Sequence, residues 1–192
     1  MARPRTFCDK KALQDALKVF WAKGYQAASL TDLTQAMGLS KSSFYETFGC
    51  KRQLFLKALD CYMQQGKQEL ADAFQGRTFR QGIAYVNQHF IEKAKQGCPE
   101  QGCFMFKVAS DLACRDEEIK AKASQGFAQI VSVFQQAIER DQAAGILKPE
   151  LNARAVAQFF VNQNAGLNIY AQVQPDQAGL QAMLNLGMSL LD

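Results

Sequence analysis

Ser29-Leu30-Thr31-Asp32-Leu33-Thr34-Gln35-Ala36-Met37-Gly38-Leu39-Ser40-Lys41-Ser42-Ser43-Phe44-Tyr45-Glu46-Thr47-Phe48 is the stretch on which the fold turns. Ser29 and Thr31 are candidate caps for a short helix, and Asp32 follows Ser29 by three residues as an approximate capping box. Leu33 and Ala36/Met37 give that helix an inner face. Gly38-Leu39-Ser40 breaks it, Ser40 can cap a second helix from Lys41 to Phe48, and Gly49 ends that one. Two short helices joined by a three-residue turn containing Gly match helix-turn-helix geometry.

The second of these helices has two unlike sides. Phe44 and Phe48 are four residues apart and point the same way. Ser42 and Glu46 then point roughly opposite, flanked by Ser43 and Tyr45, so the outer face is small or polar and suits a nucleic-acid groove. Lys51 and Arg52 follow at the start of the next helix, where the helix dipole disfavours cations; a phosphate backbone gives a reason for them. Arg3, Arg5, Lys10 and Lys11 form a basic arm that can reach phosphates or a minor groove. Residues 1–57 hold ten Lys/Arg against four Asp/Glu, a charge of +6, while the rest of the chain is −2. A basic end on a slightly acidic body suggests a polyanion-binding module carried by a separate scaffold.

Working outward, the periodicity is helical nearly throughout. Leu13, Ala16, Leu17 and Phe20 predict a first helix from about Asp9 to Ala22, with Gly24 as its stop. A fourth helix starts near Cys50, carries Leu54, Phe55, Ala58, Leu59 and Tyr62, and runs to about Phe74. A fifth passes through Tyr85, Phe90 and Ala94, and residues 97–102 read as a loop. A sixth spans Cys103 to Ala113. Asp116-Glu117-Glu118 opens a seventh that Gly145 stops. Two more follow, Ala153 to Tyr170 and Ala178 to Leu190, around Pro175. The expected fold is all-α with about nine helices: a three-helix helix-turn-helix domain over residues 1–50 and a helical bundle over residues 51–192.

Of the 192 residues, 48% are hydrophobic and 21% charged, as in a folded soluble protein. No apolar run is long enough to span a bilayer, and the N-terminus has no apolar signal region, so a cytoplasmic location is expected. The six cysteines are read as reduced thiols. Cys98, Cys103 and Cys114 with His89 lack the second close pair of a zinc motif, so neither metal nor cofactor is expected. Cys50, beside Lys51 and Arg52 at a helix start, is a candidate redox thiol. No Gly-rich phosphate loop, G-x-S-x-G elbow or H-E-x-x-H is present, and no enzyme is expected. A helical protein-interaction adaptor leaves the Lys51-Arg52 pair and the basic arm unexplained.

Residues 28–33, 37–48 and 51–55, together with Ala16, Phe20, Gly24 and Tyr25 upstream, resemble the DNA-binding domain of TetR-type (tetracycline-repressor-type) regulators over about residues 8–62. The resemblance implies a homodimeric transcriptional regulator, a repressor released from a palindromic double-stranded operator by a small-molecule effector. A thiol-based redox-sensing regulator is the alternative of the same class. By position, Thr31, Ser43, Tyr45 and Lys51 are similar to the family's phosphate contacts, Lys41 and Ser42 to its base or adjacent phosphate contacts, and Phe44 and Phe48 to its structural residues. Glu46 departs from the pattern by placing a carboxylate toward DNA; it can accept from cytosine N4 or merely lower phosphate attraction. Cys50 stands where Ser is commoner.

The last two helices are the expected dimer seam. Phe159-Phe160-Val161, Gly166-Leu167 and Ile169-Tyr170 are apolar on more than one face, and Leu180, Met183, Leu184, Met188 and Leu191 follow. An effector pocket is expected among helices four to eight. Its candidate aromatic walls are Tyr85, Phe90, Phe104, Phe106, Phe127 and Phe134. Its candidate polar anchors are Asn162, Gln163, Asn164 and Asn168, with Gln163 and Asn164 foremost.

Overall fold

The computed structural model describes residues 9–95, 103–173 and 176–192. Among these, the regular structure is helical: α1 (Asp9–Ala27), α2 (Leu30–Met37), α3 (Lys41–Phe48), α4 (Lys51–Phe74), α5 (Phe79–Lys95), α6 (Phe104–Leu112), α7 (Glu117–Ala143), α8 (Ala153–Val173) and α9 (Gln177–Ser189). No helix among the described residues is long and apolar enough to cross a membrane. The chain packs as two compact units, Met1–Gln65 and Gly66–Asp192. The sequence reading divides the chain at residue 50; packing instead groups residues 51–65 with the N-terminal unit. The reason is visible in the rings. Phe20 of α1 meets Phe55 of α4 edge-on at 5.1 Å, and Trp21 meets Tyr62 at 5.5 Å.

α1 runs five residues beyond its expected end at Ala22. Gly24 sits at φ 78°, ψ 163°, outside the helical region, so the first helical stretch ends there and a short second one follows across a kink. Ala28 N–H still bonds back to the Gly24 carbonyl at 3.2 Å. Gly38 closes α2 with a left-handed φ of 64° that a side chain would strain.

The C-terminal unit holds two apolar clusters. The first joins Phe74, Phe79, Ile83, Phe134, Ile138, Phe160 and their neighbours. Phe79 lies at its centre, 5.6 Å from Phe74, 5.7 Å from Phe134 and 5.3 Å from Phe160. Fully burying each such ring stabilises by about 1.5–3 kcal/mol. The second cluster is smaller: Leu167 and Ala171 of α8 with Leu180 and Leu184 of α9, covered by Phe90, Ile91 and Met183. Asp116 caps α7 through the N–H groups of Glu118 and Ile119. The carboxylate of Asp141, 2% exposed, accepts from the Phe79 backbone N–H at the start of α5 and pairs with Arg140 at 2.8 Å. Asp141 thus pins the end of α7 to the α4–α5 corner.

Candidate nucleic-acid interface

The two short helices are set by their caps. The Ser29 Oγ accepts from the Asp32 N–H at 3.1 Å, and the Asp32 carboxylate accepts from the Ser29 N–H at 2.9 Å, a complete capping box. Lys23 of α1 donates to the same carboxylate at 2.6 Å. The Lys23 and Ser29 hydrogen bonds hold the Asp32 carboxyl well below the usual carboxylate range. Ser40 caps α3 through the Ser43 N–H at 3.1 Å and donates its hydroxyl to the Ser43 Oγ at 3.0 Å.

These caps fix the roll of α3. Phe44 and Phe48 turn fully inward, at 0% and 3% exposure, while Tyr45 stands 54% exposed beside them. Tyr45 leans edge-on against Phe44 at 5.3 Å, which holds its hydroxyl out from the surface. Lys41, Ser42 and Glu46 are exposed on the same outer side, and Thr31 is exposed on α2. Ser42 Oγ donates to Glu46 Oε1 at 3.4 Å, a long bond that leaves the carboxylate's acceptors available. The surface therefore presents an ammonium, a carboxylate, a phenol and hydroxyls on one helix about as wide as a major groove.

Lys51 is half-buried. Its Nζ donates to the Gln26 carbonyl at 3.2 Å and lies 4.8 Å from the centre of the Tyr25 ring. Burial lowers its pKa below the ordinary lysine value of 10.5. Arg52 is half-buried, Cys50 is exposed, and Lys10 and Lys11 are exposed on α1. Arg3 and Arg5 lie outside the described residues, as do Cys98, the 97–102 loop and Pro175. No group of three or more His, Cys, Asp or Glu among the described residues is placed to hold a metal ion.

The candidate pocket residues divide. Phe134 and Phe104 are fully buried core, at 1% and 2% exposure. Phe106 and Phe127 are half-buried and stack at 5.2 Å. Phe90 covers the second cluster. Tyr85 is exposed, under Arg77 at 4.7 Å. Gln163 donates to the Met183 carbonyl at 2.7 Å and so ties α8 to α9. Asn162 and Asn168 bond back along α8. The seam candidates also divide. Phe160, Val161 and Leu167 belong to the unit's own core, as do Leu180, Leu184 and Leu191. The large apolar side chains left exposed on these helices include Phe159, Ile169, Tyr170, Val173, Leu186 and Leu190. The inward stripe of α9 is spent on α5 and α8, so its outward apolar residues are other ones.

Comparison with known proteins fits this arrangement. Residues 12–58 match the family model "Bacterial regulatory proteins, tetR family", and residues 81–186 match "Tetracyclin repressor-like, C-terminal domain". The uncharacterized HTH-type transcriptional regulator YezE of Bacillus subtilis (strain 168) is 25% identical over 194 residues, covering 100% of both chains. The HTH-type transcriptional repressor ComR of Escherichia coli (strain K12) is 26% identical over 191 residues, covering 98% of this chain and 90% of the relative. A cysteine mutant of the TetR family transcriptional regulator CifR, complexed with 26bp double-strand operator DNA, is 28% identical with a TM-score of 0.85, covering 99% of this chain and 100% of that one. With both units matched and α3 set outward between capped ends, the chain belongs to the tetR family of bacterial regulatory proteins and is a DNA-binding transcriptional regulator.

Proposed function

We propose that this regulator is a repressor that holds a roughly palindromic operator as a homodimer and releases it when a small molecule occupies the C-terminal unit. The observation that carries the reading is the two-sidedness of α3: Phe44 and Phe48 are buried while Lys41, Ser42, Tyr45 and Glu46 face solvent. In this reading α3 lies in the major groove, with Lys41, Ser42 and Glu46 toward base edges. Thr31, Ser43, Tyr45 and Lys51 hold phosphates, which supply most of the affinity and its salt dependence. A two-fold dimer then reads two half-sites, joined through the exposed apolar residues of α8 and α9. ComR is named a repressor and CifR is bound to operator DNA, which favours repression by operator binding. The protein acts by binding without catalysis, in the cytoplasm with the DNA it reads. An effector must prefer the conformation that does not fit DNA, since only differential affinity shifts the equilibrium.

The test is a gel-shift titration on the upstream regions of its own and neighbouring genes, with competitor DNA, at two salt concentrations. A competitor-resistant shift that weakens steeply with salt is expected. No shift on any of these regions would count against the reading.

A further inference from the structure

Asn87 is the one uncharged amide side chain among the described residues that is buried, at 6% exposure. It makes no hydrogen bond to any protein group there. Every fully enclosed side-chain nitrogen or oxygen among the described residues has a partner, so the Asn87 amide atoms border accessible space. Its place on α5 is between the two apolar clusters. Ile83, one turn before it, belongs to the first, and Phe90, three residues after it, covers the second. α8 repeats the order. Phe160 and Val161 belong to the first cluster, Leu167 and Ala171 to the second, and Asn164 lies between them. Asn164 is half-buried, and its side chain likewise has no partner. The one side-chain bond to this residue is to its backbone carbonyl, from Asn168 at 2.6 Å.

We infer that Asn87, with Asn164, anchors an uncharged small molecule bearing a paired hydrogen-bond donor and acceptor, such as a carboxamide, between the two apolar clusters of the C-terminal unit. The inference deepens the effector-controlled reading above and rests on it. Each amide offers both a donor and an acceptor. Asp141 is the one charged residue buried among the described residues, and it is already committed to the Phe79 N–H and Arg140. An anion or cation between the clusters therefore has no buried counter-charge and carries its desolvation cost unrelieved. The half-buried Phe106–Phe127 stack, with Phe127 packed on the first cluster, supplies flat apolar surface for the rest of the molecule. A pure hydrocarbon is disfavoured, because it leaves the amides unpaired.

Three probes of one shape test this: 2-naphthamide, 2-naphthoate and 2-methylnaphthalene, each titrated into the whole protein without DNA and followed by thermal shift and calorimetry. Wild type is expected to bind the amide at least about tenfold more tightly than the other two. Asn87→Leu is expected to lose that preference while its unliganded Tm equals or exceeds that of wild type, since it removes an unpaired buried amide. Three results overturn the inference: no probe binds wild type, the carboxylate binds as well as the amide, or Asn87→Leu keeps the preference. A lowered Tm in unliganded Asn87→Leu also overturns it, by making Asn87 a structural residue. Amide binding that leaves the DNA complex intact sinks the effector control of DNA release and spares the site.

Discussion

The Lys51 ammonium lies 3.2 Å from the carbonyl oxygen of Gln26, in the last turn of α1. A cation at a helix C-terminus is favourable, and the same cation at the first residue of α4 is not. The basic start of α4 thus has a local explanation, in the end of the helix packed beside it. The ammonium keeps further N–H donors for a phosphate, so the two roles are compatible and separable by experiment.

Lys51→Gln retains a donor for Gln26 and removes the charge. The slope of log affinity against log salt should fall by about one per protomer, with base preference unchanged. Affinity measured at several salt concentrations checks this. An unchanged slope would leave Lys51 as a cap on α1 alone.

Glu46 is the one acidic residue of α3. A carboxylate only accepts, and in the major groove cytosine N4 offers a donor without the neighbouring N7 acceptor of adenine. Selection of binding sites from random duplexes should show cytosine at one position per half-site for wild type, a shift toward adenine for Glu46→Gln, and no preference there for Glu46→Ala. Tighter binding by Glu46→Ala with the same selected sequence would mean that Glu46 only repels phosphate.

The Asp32 carboxyl titrates lower folded than unfolded, first through its Lys23 hydrogen bond. Its contribution to stability is therefore present above the ordinary value of 3.8 and is lost as pH falls through the lower folded value. The Tm difference between wild type and Asp32→Asn should be positive at neutral pH and shrink below pH 3.8. A pH-independent difference would assign the loss to packing.

Asp141→Ala strips the Phe79 N–H of its acceptor and Arg140 of its carboxylate, leaving Arg140 the Arg77 carbonyl. About 3 kcal/mol of unfolding free energy should be lost in urea denaturation. Asp141→Asn should cost less than half of that, because an acceptor remains for the α5 N-terminus. Equal losses would point to the charge pair as the important feature.

What could be read in the sequence was what acts locally. Ser29, Asp32, Gly38, Ser40 and Gly49 define α2 and α3 through bonds spanning three or four residues, so the capping box and the turn are legible by eye. Gly24 is legible as the break in α1; the further turn to Ala27 is not, because it depends on packing such as that of the Tyr25 ring, 4.8 Å from Phe55. Which α9 residues face the chain's own core is not legible, because Leu180 and Leu184 follow a helical stripe, and a stripe does not say whether it faces its own chain or another. The bond from Gln163 to the Met183 carbonyl is not legible, because its partner is on another helix. Asn87 had a signal, a polar residue on an apolar helical face between Ile83 and Phe90. Its lack of a partner depends on which groups the neighbouring helices bring to it.

In the reading proposed above, the outer face of α3 reads a specific sequence. The most direct measurement is the affinity of the protein for its selected palindrome against a scrambled duplex of equal length, at physiological salt, by fluorescence anisotropy. A preference of about a thousandfold or more is expected, falling toward unity when Lys41, Ser42 and Glu46 are all replaced by Ala. A wild-type ratio near one, or a ratio untouched by the triple replacement, would contradict it.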